Sequence, residues 1–242
     1  MVNAQDLVKW DKQGLPYSTI FDDKYFCTEN GYEETLHVSC HGNQLKERFA
    51  KLDPAQKGTF TIIETGFGTG LSFCCAWEIW DQIAPRSWAL HFISIELFPL
   101  SNKELAQALS LWPFLNKYIH ALTAKYKPSD KQMDVQFDNV RLTLVFDDVV
   151  KALKDIKQCN AVPGRVDAWF LNGFAPAKNP LMWTDAVFEA MAPLSKATTT
   201  MSTFTVAGFV RRGLEANGFM LQKIRGFGTK KHVLTGEFRG KS

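Results

Sequence analysis

Glu64 and the glycines Gly66, Gly68 and Gly70 stand together in "ETGFGTG", directly after the apolar run Phe60, Ile62, Ile63. A strand that ends in alternating glycines gives a loop that turns sharply and lets a ligand approach without meeting a Cβ. The helix that follows adds unpaired N–H groups at its start. An acid just before such a loop is a receptor for a ligand's ammonium group.

The spacing separates some ligands from others. No Gly-Lys-Ser/Thr follows, so this is not a triphosphate loop. Nor is it the G-x-G-x-x-G of dinucleotide sites. The acid and alternating glycines are the form used for S-adenosylmethionine, although a dinucleotide site or a tight turn stays open on spacing alone. Glu96 closes the apolar stretch "ALHFISIE". There it either accepts two hydrogen bonds from ribose hydroxyls or serves a helix cap or the surface. Asp148 follows a third such stretch, where an acid either meets an adenine amine or caps a helix.

The longest chemical signal is "DAWFLNGFAPAKNPLMW", residues 167–183. An apolar strand runs into Asn172-Gly173, then Pro176, Lys178 and Pro180. It reads as a rigid, aromatic-lined wall beside the reacting end of a ligand, or as a proline-stiffened connection.

These residues need a frame. From Thr59 the chain alternates strand and helix patterns: strands over 60–65, 89–96, 141–146, 166–171 and 199–205, with helices over 71–83, 101–112 and 148–156 and two more around strand five. Ser101 with Glu104 forms a capping-box pattern. The last stretch, 219–238, reads as two strands about Gly226-Phe227-Gly228, with no helix between them. The order predicts a mostly parallel sheet with helices on both faces and a C-terminal antiparallel hairpin. Residues 1–58 read as an extension packed on the core, with a small hairpin about "YEETLHVS", and residues 59–242 as one compact domain. Residues 113–140 read as irregular.

Composition narrows the class. At 45% hydrophobic and 22% charged the 242-residue chain is an ordinary soluble protein, large enough to fold without staples. A net charge of +3 permits an anionic partner without requiring one. The five cysteines are an odd set without C-x-x-C, and no histidine falls at ligand spacing from them. That favours a reducing cytoplasm and no metal. The charged N-terminus lacks a signal-peptide core, and no apolar run is long enough to span a membrane.

Taken together, "ETGFGTGLSF", "HFISIELFPL", "DAWFLNGFAPAKNPLMW", "STFTVAGFVRRGLEANGF" and "KIRGFGTKKHVLTGE" resemble the methyltransferase domain of the MnmC family. "FDDKYFCTENGYEET" and "GNQLKERF" in the extension resemble it too. The likeness implies a Rossmann-like, class I S-adenosylmethionine-dependent methyltransferase with a seven-stranded α/β sheet. It implies methylation of the aminomethyl group of 5-aminomethyl-2-thiouridine at the tRNA wobble position. By resemblance Glu64, Gly66, Phe67, Gly68, Gly70, Glu96, Asp148 and Asn172 line the cofactor site, with Asn172 and Phe174 at the methyl-transfer end. An FAD-dependent oxidase is fused to this domain in many family members. The chain ends at Ser242 without a second dinucleotide loop, so it reads as a stand-alone enzyme or as one part of a larger protein.

A wobble-base enzyme needs a basic face for the anticodon stem-loop. The candidates are Lys178, Arg211, Arg212, Lys223, Arg225, Lys230 and Lys231, with Phe174, Trp183 and Phe227 to stack on a base. Three departures from the family stand out. Asn172 replaces an aspartate, Asp147 replaces a glycine, and "LSKATTT" replaces a proline-glycine turn. The first matters most, because an amide accepts hydrogen bonds but takes no proton. General-base help is worth about 10²–10⁴ in rate. Two other readings follow: a weakened module that binds tRNA or cofactor, and a small-molecule methyltransferase on the same fold.

Overall fold

A computed structural model describes residues 7–27, 30–128, 131–158 and 166–240; Cys159 lies outside them. The N-terminal part forms a small antiparallel sheet of β1 (Val8–Trp10), β2 (Pro16–Ser18) and β3 (Asp23–Lys24). Then come α1 (Gly31–Thr35), a π-helical turn (Leu36–His41) and α2 (Leu45–Ala50). The hairpin expected about residues 32–39 is therefore a helix. Asn30 caps it by accepting from the Glu33 N–H, and Glu33 and Glu34 favour its positive end.

The remaining elements are β4 (Gly58–Thr65), α3 (Leu71–Ile83), β5 (Trp88–Ile95), α4 (Asn102–Leu109), α5 (Asn116–Lys125), β6 (Gln132–Phe137) and β7 (Val140–Val145). After them come α6 (Val149–Gln158), β8 (Val166–Leu171), α7 (Asp185–Met191), β9 (Ser195–Thr203), α8 (Gly208–Ala216), β10 (Phe219–Arg225) and β11 (His232–Phe238). They build one sheet in the order β10-β11-β9-β8-β4-β5-β7-β6. Strands β7, β5, β4, β8 and β9 run parallel; β11 is antiparallel to both β9 and β10. The capping box at Ser101 and Glu104 is present at the start of α4.

All seven expected strands are there, and β6 adds an eighth, antiparallel to β7 at the sheet edge. The region read as irregular thus holds both α5 and β6. The edge strand buries only Met133 and Phe137. Its charged and amide residues between them dilute the apolar signal.

Strand β4 sits at the centre, and the connections leave it in opposite directions. That makes the carboxyl ends of β4, β5 and β8 the crevice where such sheets bind ligands. Alternate residues feed two cores. Ile62, Phe92, Leu142 and Phe170 face one side, with Phe73 of α3 and Phe49 of α2. Ile63, Ile93, Trp169 and Leu171 face the other, with Leu153 of α6 and Phe188 of α7. Cys40, Cys74 and Cys75 lie buried in the first core, where burial raises their thiol pKa values. Among the described residues no helix is long and apolar enough to cross a membrane, and no cluster suits a metal ion.

Two polar side chains tie the N-terminal helices to the sheet. The buried Asn43 amide donates to the carbonyls of Ser39 and Trp169 and to Ser202 Oγ, and its oxygen accepts from Thr200 Oγ1. Arg48 donates to the Asp167 carbonyl and Thr200 Oγ1 from the next turn. Replacing Asn43 by Leu strands these buried partners. The expected loss is about 1–3 kcal/mol. It is read as a lower urea midpoint at unchanged slope.

Candidate active site

Strand β4 delivers the glycine loop to the centre of the crevice. Gly66 takes φ 89° and its N–H donates to the Ile95 carbonyl. A Cβ at Gly66 would sit 3.3 Å from the backbone of Gly173, so the loops after β4 and β8 touch main chain to main chain. Gly68, at φ 53°, lies under the Tyr25 ring, which a Cβ would approach to 3.3 Å. Gly70, also left-handed, opens α3.

Behind this loop lies a buried carboxyl. Glu64 has 0% exposure. Its Oε2 accepts from Ser94 Oγ at 2.8 Å, and its Oε1 accepts from Asn172 Nδ2 at 2.8 Å. The same Nδ2 reaches Ser72 Oγ at 3.1 Å. The Asn172 carbonyl in turn accepts from Thr65 Oγ1. Burial pushes Glu64 up to about 8, against the pull of its hydrogen-bond donors.

Glu96 at the end of β5 is held by the loops themselves. Its oxygens accept from the N–H groups of Gly68 and Phe98, each at 2.9 Å. Desolvation raises its pKa, and those backbone donors work against the shift. Asp148 is exposed and caps α6, accepting from the N–H groups of Val150 and Lys151. It does not line the cavity described next.

That cavity has a volume of about 390 Å³. The glycine loop, Phe67, Ser72, Glu96, Asn172 and Phe174 form its sheet side. The N-terminal part forms its other wall through Asp23, Tyr25, Glu34 and Ser39. The two sides are joined by rings and charges. Phe21 stacks on Phe174 at 4.7 Å and meets Phe98 edge-on at 5.8 Å. Tyr25 meets Phe174 edge-on at 5.1 Å. Asp23 accepts from the Ala175 N–H, and Lys178 pairs with Asp22.

Of the cations, Lys230 alone among those anticipated lines the cavity. It pairs with Glu34 at 2.8 Å and lies over the Phe204 ring. Arg211 lies 3.8 Å from Glu215 along α8. Arg212, Lys223, Arg225 and Lys231 are exposed. Because β11 starts opposite the end of β9, the turn carrying Gly226 to Lys231 lies at the same sheet edge as the cavity. Phe174 is engaged by Phe21 and Tyr25. Trp183 is buried, donating to the Phe174 carbonyl, and offers no face to a base. Sequence reasoning did not single out Phe21, Tyr25, Glu34, Ser72 or Ser94. The first three fall in the extension segment that carried the family likeness.

The raised Glu64 has a signed consequence. The folded state holds this proton more tightly than the unfolded chain. Its stabilisation is complete below the ordinary carboxylate range and is lost as pH rises toward 8. Relative to Glu64→Gln, the wild type loses stability between pH 5 and 9, by at most about 1.4 kcal/mol per pH unit. Thermal melts of both proteins across that range check it; parallel curves contradict it.

Known proteins resemble the chain over nearly its whole length. Residues 113–239 match the model of a family described as S-adenosyl-L-methionine-dependent methyltransferases. The tRNA 5-methylaminomethyl-2-thiouridine biosynthesis bifunctional protein MnmC of Methylobacillus flagellatus is 47% identical over 238 residues, 97% of this chain and 35% of that protein. Its namesake in Ectopseudomonas mendocina is 48% identical over 240 residues, again 35% of its length. The chain therefore spans about a third of the length of these curated relatives. A crystal structure of MnmC2 from Aquifex aeolicus shares the fold, with a TM-score of 0.72 at 17% identity, covering 96% of this chain and 70% of that one. The chain belongs to the family of S-adenosyl-L-methionine-dependent methyltransferases.

Proposed function

We propose that this protein methylates the aminomethyl nitrogen of 5-aminomethyl-2-thiouridine at the tRNA wobble position, giving 5-methylaminomethyl-2-thiouridine. One observation carries the reading: the glycine loop after β4 and the Asn172-Gly173 corner after β8 face one cavity with their backbones in contact. The names and close identity of the relatives supply the substrate class.

The residues fit the cofactor. Gly66 and Gly68 form a cradle that side chains would fill. Glu96 stands at the end of the neighbouring strand, where a ribose would need its acceptor. Gly66, Phe67, Gly68 and Glu96 would hold the cofactor. Glu64 would act from behind, since Asn172 and Ser72 stand between it and the cavity. Asp148 would serve the adenine end only while still capping α6. When bound, S-adenosylmethionine supplies a methyl carbon bonded to a positive sulfur, open to attack by an amine lone pair.

The chain's own residues do the positioning. Phe174, fixed between Phe21 and Tyr25, gives the reacting corner an apolar wall that excludes water. Asn172 presents its amide there. Lys223, Arg225 and Lys231, with Arg211 and Arg212 of α8, supply the exposed cations for tRNA phosphates. Lys178 and Lys230 serve chiefly to join the N-terminal wall to the sheet. The reading places the protein in the cytoplasm with its tRNA. An FAD-dependent oxidase, fused or separate, would unmask the amine.

The test is direct. Purified protein, cofactor and tRNA carrying 5-aminomethyl-2-thiouridine should give a gain of one methyl at the wobble base by mass spectrometry. Glu96→Ala should weaken cofactor binding about tenfold or more in calorimetry, the scale of hydrogen bonds to a charged group. Affinity for tRNA should fall steeply with salt. A flat salt response, or no heat with the cofactor, sinks the proposal.

A further inference from the structure

The acid that the family likeness leads one to expect at position 172 is an amide here. The amide is not loose. Its Nδ2 is committed to Glu64 Oε1 at 2.8 Å and to Ser72 Oγ at 3.1 Å. Glu64 is fixed in turn by Ser94 Oγ at 2.8 Å and has no exposed surface. Ionised, or protonated at Oε2, Glu64 keeps Oε1 as an acceptor, which the NH₂ end of Asn172 meets, and Ser72 also hydrogen-bonds the carboxyl. The amide is thereby held in one orientation. Among the described residues nothing donates to Asn172 Oδ1, and Asn172 lines the cavity.

We infer that Asn172, locked by Glu64 and Ser72, is a neutral hydrogen-bond acceptor that orients the incoming amine, and that no side chain acts as its base. This rests on the methyl-transfer reading above. An aspartate at 172 would stand against Glu64 as a second carboxyl in hydrogen-bond contact, and such a pair holds a proton between its members. The amide avoids that competition and gives up proton capture. The substrate must therefore arrive as free amine. One N–H is accepted by Oδ1, and the lone pair is left to form the new N–C bond as the donor's S–C bond breaks. The bonding pair stays on sulfur as a thioether lone pair. The nitrogen leaves as a secondary ammonium, whose proton passes to water.

Other ionisable groups face this corner without meeting Asn172. Glu96 is committed to the Gly68 and Phe98 N–H groups. Asp23 accepts from the Ala175 N–H, and Glu34 and Lys230 neutralise each other on the far wall. Burial holds the Tyr25 hydroxyl protonated, and Cys27 lies on the opposite wall. Lys24 lines the same wall. Among the described residues Glu64 is the ionisable group in hydrogen-bond contact with Asn172, and it lies behind the amide.

Single-turnover methyl transfer at saturating cofactor, followed against pH, tests this. In the wild type the rate should rise tenfold per pH unit and level off at the substrate amine's own pKa. Glu64→Gln keeps an acceptor for Asn172 and a donor for Ser94, and should leave the profile unmoved while slowing transfer less than Glu64→Ala. Glu64→Ala and Ser72→Ala free the amide. They should slow transfer about tenfold or more with the profile unmoved and the cofactor affinity from calorimetry kept within a few-fold. A hundredfold loss in Glu64→Gln, or a wild-type rate flat below the amine pKa, makes Glu64 a base and overturns the inference. If only Asn172→Asp transfers methyl, an acid is required: the inference fails and the substrate reading stands. If neither protein transfers methyl while both bind cofactor, the substrate reading fails and takes the inference with it.

Discussion

A carboxyl group without exposed surface, at the carboxyl end of the central strand, sets the terms for the whole crevice. Glu64 costs free energy to bury unless its oxygens are hydrogen-bonded, and those partners come from three other places in the chain. Ser94 lies on the next strand of the sheet. Asn172 ends the strand on the other side. Ser72, bridged by Asn172, begins the first helix of the main sheet. Satisfying one buried group therefore brings together the elements that a donor and an acceptor must share.

The same point explains the close approach of the loops. The loops after β4 and β8 meet at Gly66 and Gly173 with no side chain between them, which allows the Asn172 amide to reach Glu64. A polar core of this kind specifies one arrangement, since a slipped loop leaves the carboxyl without donors. Around it the sheet contributes rigidity. Two cores clamp the strands from both faces.

The N-terminal part completes what the sheet begins. Its rings bridge Phe98 and Phe174, at the ends of neighbouring loops, and its acids bind Ala175 and Lys178. Half of the cavity's chemistry therefore lies in a stretch with little secondary structure of its own. Substrate contact, loop order and the docking of that stretch are coupled in consequence. The pairing of Lys230 with Glu34 extends the coupling to the C-terminal hairpin.

The sequence by itself determined the periodic features. Strand and helix alternation from residue 59, the glycine spacing, the acids that close β4 and β5, and the capping box at Ser101 are local patterns with local physical causes. The edge strand β6 and helix α5 escaped because each buries only one thin face. The helix about residue 33 escaped because its signal is a cap rather than a hydrophobic stripe. Tertiary structure alone decided which groups meet. It placed Glu64 behind Asn172 rather than in the open cavity. It made Lys230 part of the wall, and it buried Trp183. The reason is common to all three: burial and pairing depend on residues a hundred or more positions apart, or on the packing of a whole layer, and no spacing along the chain records them.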